Sequence, residues 1–261
     1  SRSINLSLES GNGEVGFDGE GVWGIETLSG ATKVYLYMQT LPAPSSEHML
    51  DKSRCIMEFN TGKVDVRYGV SFISIEQAKA NLMREIKDYN IDAVERAGRD
   101  IWNETLGRIK IKGGSEDQKT VFYTSYYRTF ERPICMSEDG RYWSPFDEAV
   151  HDDGGVPFYN DDWIWDTYLA AHPLRVIMDR ELEENILRSF LRMSEQSGTG
   201  WLPTFPEVSG DTRRMNCNHT IVTFADAIAK GLDVDIKAAC YASHKTLMEK
   251  TLAPWSGKYA G

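Results

Sequence analysis

The chain has 261 residues, 41% of them hydrophobic and 26% charged, with a formal net charge of -10. No run approaches the roughly 18 consecutive apolar residues of a membrane-spanning helix, and an acidic chain lacks the clustered Lys and Arg that grip polyphosphates. Membrane spans and nucleic-acid partners are therefore excluded, and at about 150 residues per domain the length suits one large domain or two ordinary ones.

In chain order, Ser1-Arg2-Ser3-Ile4 shows no basic segment followed by an apolar run, so no signal peptide is read there; a mature secreted enzyme would look the same. Residues up to Ile75 read as strands. Val34 to Met38 is β-prone, Val64 to Ile73 alternates apolar with polar, and Gly, Asn and Asp turns separate such runs. Near Ser74 the period becomes helical, with Ala78, Leu82, Met83 and Ile86 on one face, Ser74 as cap and Gln77 in the capping-box position. Helices are then predicted over 92–106, 116–130, 162–172, 180–194, 216–230 and 234–250, with a short strand at Arg108 to Lys112. Successive helices of this length suggest hairpins packed side by side, whose closed form is an α/α barrel. Between Glu131 and Asp161 lies a long loop carrying Trp143, Phe146, Phe158 and Tyr159, aromatics that suit a lined site better than disorder. Cys55, Cys135, Cys217 and Cys240 are too far apart for a metal knuckle or redox pair and are expected to be buried free thiols.

Two segments carry chemistry. Asp161-Asp162-Trp163-Ile164-Trp165-Asp166-Thr167-Tyr168 sets three acids and two indoles at a helix start. The acids suit an N-terminal cap beside core tryptophans; equally, indole faces stack on a pyranose while a carboxylate accepts two hydroxyl hydrogen bonds. Gly200 to Thr212 is a Pro- and Gly-shaped loop with Trp201, Glu207 and Asp211, followed by Arg213 and Arg214 and then by His219 and Asp226. A loop carboxylate near indoles and arginines is placed for acid/base work or simply for solvation. His219 and Asp226, seven apart on one helix face, suit a metal, mutual stabilisation, or a core histidine with a partner. His151, Asp152 and Asp153 read as a solvated acidic loop. No phosphate loop, Gly-x-Ser-x-Gly elbow or His-Glu-x-x-His motif occurs.

The chain resembles glycoside hydrolase family 92, the bacterial exo-acting α-mannosidases. The resemblance rests on Val70 to Ala78, Trp102-Asn103-Glu104, Phe122 to Arg128, Trp165 to Tyr168, His172-Pro173-Leu174, Gly200 to Pro203, Met215, His219, Ala225-Asp226-Ala227 and Lys230-Gly231. It implies an α+β multidomain architecture: residues 1–75 as the C-terminal part of a β-sandwich, 76–112 as a helical connector, and 113–261 as the first half of an (α/α)6 barrel. It also implies a calcium ion holding the terminal mannose, inversion at the anomeric carbon, mannose-containing oligosaccharides as substrates (α-1,2-linked), and a periplasmic, cell-surface or secreted location.

Carried over by motif, Trp165 and Asp166 match the pair that holds the terminal mannose. Asp211 falls where the family has a general-acid Glu, and Glu207 is the nearby substitute. The candidate catalytic residues are thus Asp211 and Glu207, and the candidate substrate-binding residues are Trp163, Trp165, Asp166, Trp201 and His219. The family's general base and most of its calcium ligands are expected downstream of Gly261, so no metal ligand is assigned and the fragment by itself is expected to be inactive. The alternative is a non-catalytic mannoside-binding protein that has lost its acid.

Overall fold

The computed structural model describes residues 2–9, 12–215 and 218–249. Cys217, the ends of two predicted helices at Asn216 and Lys250, and the turn-like stretch Pro254 to Lys258 lie outside them. The chain divides between Phe130 and Glu131 into two compact units.

The first unit opens with seven strands: β1 (Arg2–Ser7), β2 (Glu14–Phe17), β3 (Val22–Thr27), β4 (Lys33–Leu41), β5 (Ser46–Asp51), β6 (Arg54–Phe59) and β7 (Asp65–Ser71). They form two antiparallel sheets, ordered β1-β6-β5 and β2-β3-β4-β7. Side chains alternate across a strand, so adjacent residues serve different cores. Met38 joins Val15, Val22, Cys55, Met57 and Phe59 in the core shared by the two sheets, while its neighbour Tyr37 packs on Ala78 and Leu82 of helix α1 (Ile75–Glu85). The helix lies close: a Cβ on Gly69 of β7 would meet the Ala78 carbonyl oxygen at 2.4 Å. As predicted, Ser74 caps α1, its Oγ accepting the Gln77 N–H at 3.1 Å. Helices α2 (Ile91–Leu106) and α3 (Glu116–Arg128) complete the unit, α3 opening with a full Ser115/Gln118 capping box. The strand predicted at Arg108 to Lys112 does not form: the stretch makes no ladder, and the Ile109 carbonyl instead accepts from the Tyr123 hydroxyl at 2.9 Å.

In the second unit, the long loop 131–161 is more regular than its composition suggests. It holds β8 (Ile134–Cys135) paired with β11 (Tyr159–Asn160), and a hairpin of β9 (Arg141–Ser144) with β10 (Ala149–Asp152). Tyr142 stacks on Phe158 at 4.1 Å and 15°, which fixes the hairpin to the strand pair. Asp153, read as solvated, is buried and accepts the Gly155 N–H at 2.8 Å.

The single helix expected over 162–172 is two: α4 (Ile164–Thr167) and α5 (Ala171–Met178). Pro173 is the reason, since it has no N–H to give and its ring would clash with the carbonyl four residues back, at Leu169. Helix α6 (Arg180–Gln196), capped by Asp179, buries Ile186, Leu187, Phe190 and Met193 along one stripe. A short pair, β12 (Pro206–Glu207) and β13 (Gly210–Asp211), precedes α7 (His219–Ala229) and α8 (Ile236–Met248). Helix α6 packs on α5 and α8, and α7 on α5 and α8, as hairpins laid side by side. Of the cysteines, Cys55 is buried as expected, whereas Cys135 and Cys240 are exposed.

Candidate sugar site

Asp161 opens the first segment with φ of 61°, a left-handed conformation uncommon for a residue with a side chain. Its carboxylate is ion-paired with Arg132. Burial pushes the Asp161 carboxyl above its ordinary range, against the pull of that guanidinium. Arg132 also lies 3.7 Å over the Trp163 ring, which stacks on Phe205 at 5.6 Å. Trp163 is thus well packed, yet its indole N–H is buried with no partner among the described residues.

Helix α4 is a single turn, and successive residues on it point about 100° apart. Ile164 is 0% exposed and anchors the inner side, while Trp165 stands 46% exposed and Asp166 beside it is exposed. The Asp166 carboxylate has no hydrogen-bond or ion-pair partner among the described residues. Asp162 is not the cap its position suggested: no side chain caps α4.

Asp162 instead turns inward and joins a buried cluster that sequence reasoning missed. His172 of α5 places Nε2 3.0 Å from Asp162 Oδ2, off the axis of a hydrogen bond and so a plain ion pair, and donates Nδ1–H to Glu183 Oε1 of α6 at 2.8 Å. Thr167 donates to the other Asp162 oxygen at 2.7 Å. With a carboxylate on each ring nitrogen the imidazole is held as the cation. Burial alone would lower its pKa, but Glu183 and Asp162 raise it to about 9. Burial likewise opposes ionisation of Asp162, yet the charge of His172, with that of Arg175, holds its carboxyl below the ordinary value. The only signals in the sequence were the His172-Pro173-Leu174 match and a Glu on the inner face of a helix.

The second segment is shaped by Asp211. Its Oδ1 accepts the Phe205 N–H at 2.8 Å and the Arg213 N–H at 3.2 Å, and its Oδ2 accepts the Thr204 N–H at 3.0 Å. Glu207 lies one step before the turn, its carboxylate 3.2 Å from the Arg214 guanidinium. Trp201 donates its indole N–H to Glu249 at 2.9 Å and carries Arg213 5.4 Å over its ring. A cavity of about 30 Å³ is lined by Trp201, Asp211, Arg213 and Phe146 among others.

The two predicted segments and the residues beside them come together through several contacts among the described residues. Trp163 stacks on Phe205, His219 stacks on Tyr168 at 3.9 Å, and Asn160 donates to the Glu207 carbonyl at 2.9 Å. Burial pushes the His219 imidazole below its ordinary pKa, and its Nδ1 is buried without a partner among the described residues. Asp226 does not serve His219; it pairs with Lys230 at 2.6 Å. His151 pairs with Asp147 at 2.8 Å. Among the described residues no group of three or more His, Cys, Asp or Glu side chains is arranged to hold a metal ion. Calcium therefore finds no ligand set among them, and no chemical step is assigned to it. No helix among them is long and apolar enough to cross a membrane.

The sequence profile of the glycosyl hydrolase family 92 catalytic domain matches residues 77–260. The chain belongs to this family. An inverting mannosidase of family GH92 from Bacteroides thetaiotaomicron, BT2199, is 26% identical with a TM-score of 0.74, over 92% of this chain and 35% of its own. The GH92 α-mannosidase BT3965 of the same organism, in complex with mannoimidazole, is 22% identical with a TM-score of 0.79, over 90% and 34% of the two chains. The GH92 glycosyl hydrolase ccman5 is 24% identical with a TM-score of 0.72, over 94% and 35%. None of the curated proteins matches significantly. The chain thus spans about a third of the length of these structures, and its fold is a β-sandwich portion followed by part of an (α/α)6 barrel.

Proposed function

We propose that this family 92 chain supplies the sugar-holding part of an inverting, exo-acting α-mannosidase that removes terminal α-linked mannose, α-1,2-linked, from glycans outside the cytoplasm with the help of calcium. The observation that carries the reading is the α4 turn, where an exposed indole and an unpartnered carboxylate, Trp165 and Asp166, stand side by side on a buried anchor. In this reading the Trp165 face takes the C–H surface of the sugar and Asp166 accepts two of its hydroxyl hydrogens. The buried N–H of Trp163 and Nδ1 of His219 are spare polar atoms beside that turn. Support for a mannoside comes from the related structures, two of which are described as mannosidases, one of them in complex with mannoimidazole.

Inversion needs one carboxylic acid to protonate the leaving oxygen and one carboxylate to activate water on the opposite face. Asp211 is poorly suited to the first role, because three backbone N–H groups of its own loop hold its two oxygens and turn the carboxylate inward on that loop. We assign Asp211 to shaping the loop. Glu207, whose carboxylate meets only the exposed Arg214 among the described residues, is the carboxylate of this loop left for proton transfer.

The test uses the full-length protein on an aryl α-mannoside and on α-1,2-linked mannobiose, with the anomer of the released sugar followed by NMR. The expected result is β-mannose as first product, with Asp166→Ala lowering kcat/KM by about a hundredfold, the order of losing charged hydrogen bonds to substrate. Turnover of other glycosides with none of mannosides would overturn the substrate class. Mannose binding by calorimetry without turnover would favour the non-catalytic alternative. Glu207→Gln should slow mannosides with poor leaving groups far more than those with good ones; equal slowing would remove Glu207 from the acid role.

A further inference from the structure

The Asp162–His172–Glu183 cluster is used by none of the steps above, yet it lies directly beneath the turn that carries Trp165 and Asp166. Its connections are specific. One Asp162 oxygen meets His172 and the other accepts from Thr167, the last residue of α4. The bond from Asp162 to Thr167 therefore spans the turn and ties its two ends, with Ile164 buried between them. Trp165 and Asp166 have no side-chain hydrogen bond of their own among the described residues, so their placement depends on how firmly those ends are held.

Stability by itself is a weak reason for such a cluster. Well-packed apolar residues commonly replace a buried ionic group without loss, whereas a set of ion pairs demands one geometry. Here the geometry gathers one residue before α4, one from α5 and one from α6. Removing His172 leaves two buried carboxylates without the counter-charge they share, so the arrangement tolerates little displacement.

We infer that His172 is a positioning residue for sugar binding: bridging Asp162 and Glu183, it clamps the Asp162–Thr167 turn so that Trp165 and Asp166 are held ready for the ligand. This rests on the proposal that the turn binds a mannoside. His172 touches no substrate in this scheme, and its effect passes through Asp162.

The experiment takes the full-length protein with His172→Gln and, as a milder variant that keeps the ionic cluster, Thr167→Val. Three quantities are read: mannose affinity by calorimetry, KM and kcat on an aryl α-mannoside, and amide hydrogen exchange of the peptide covering 162–170. The expected result for His172→Gln is faster exchange within that peptide and KM and mannose Kd raised by about tenfold to a hundredfold, the range for a misplaced binding group, with kcat changed much less. Thr167→Val should move all three in the same direction by a smaller factor, and it answers the question if His172→Gln fails to fold. A purely structural role would lower the melting temperature and the folded fraction while leaving KM and the local exchange unchanged, and that result in both variants overturns the inference. The two readings fail separately. Wild-type protein without mannoside affinity, but with a loosened turn in the variants, removes the substrate reading and leaves the clamp standing; unchanged exchange at 162–170 removes the clamp whatever the sugar binding.

Discussion

The two segments that meet at the candidate site reach a fixed shape by opposite means. Residues 161–168 are held by side-chain charges buried among helices, with His172 between two carboxylates. Residues 200–214 are held by one carboxylate, Asp211, that gathers three backbone N–H groups of its own loop. The first arrangement joins elements distant in the chain and depends on a protonation state; the second is local and depends on a single side chain. Damage to the first should therefore spread through the helical unit, and damage to the second should stay in the loop.

The largest effect expected is from His172→Ala, which strands Asp162 and Glu183 as facing buried carboxylates and should cost about 3–5 kcal/mol in denaturant unfolding. A cost below about 1 kcal/mol would show that the cluster relaxes or takes up protons freely. Asp211→Ala comes next. It leaves three loop N–H groups without an acceptor and should cost roughly 1–3 kcal/mol, with changes in hydrogen exchange confined to residues 200–214. Exchange changes reaching α6 would erase the contrast between the segments.

The pH dependence follows the same division. The folded pKa of His172, about 9, lies above its ordinary value of 6.5. Its contribution is thus fully present below pH 6.5 and is lost as pH rises through about 9. Asp162 runs the other way: its folded pKa lies below 3.8, so its contribution is present above pH 3.8 and is lost as pH falls through the depressed value. Wild-type stability should fall at alkaline pH more than that of His172→Gln; parallel curves would dissociate His172 from the fall. The smallest effect belongs to Trp201→Phe, which forfeits one hydrogen bond to the exposed Glu249 and should cost about 0.5–1 kcal/mol while leaving the 162–170 exchange untouched.

What was legible in the sequence, and what was not, divides along similar lines. The alternating strands, the Ser74 cap and the helix over 180–194 were readable because they are set by local periodicity and capping chemistry. Trp165 and Asp166 stand out in the sequence because indoles and acids crowd one short stretch, and both are exposed on α4. His172 and Glu183 were not readable, since neither stands out locally and their pairing depends on the break between α4 and α5. Asp211 stood out as a candidate acid, but its contacts with three backbone N–H groups did not, because a residue type cannot reveal what its oxygens will meet. The strand expected at 108–112 failed for a related reason: β-propensity supplies no partner edge.

Pro173 looks like a simple interruption of a helix, and a substitution such as Pro173→Ala would score as stabilising on helix propensity alone. In this chain it would do the reverse. The interruption is what lets the chain change direction between Asp162 and His172, so that one imidazole can face acids from two sides. Here, lost helicity is the condition for charge convergence, and engineering for a longer helix would trade the exposed α4 turn for a regular one.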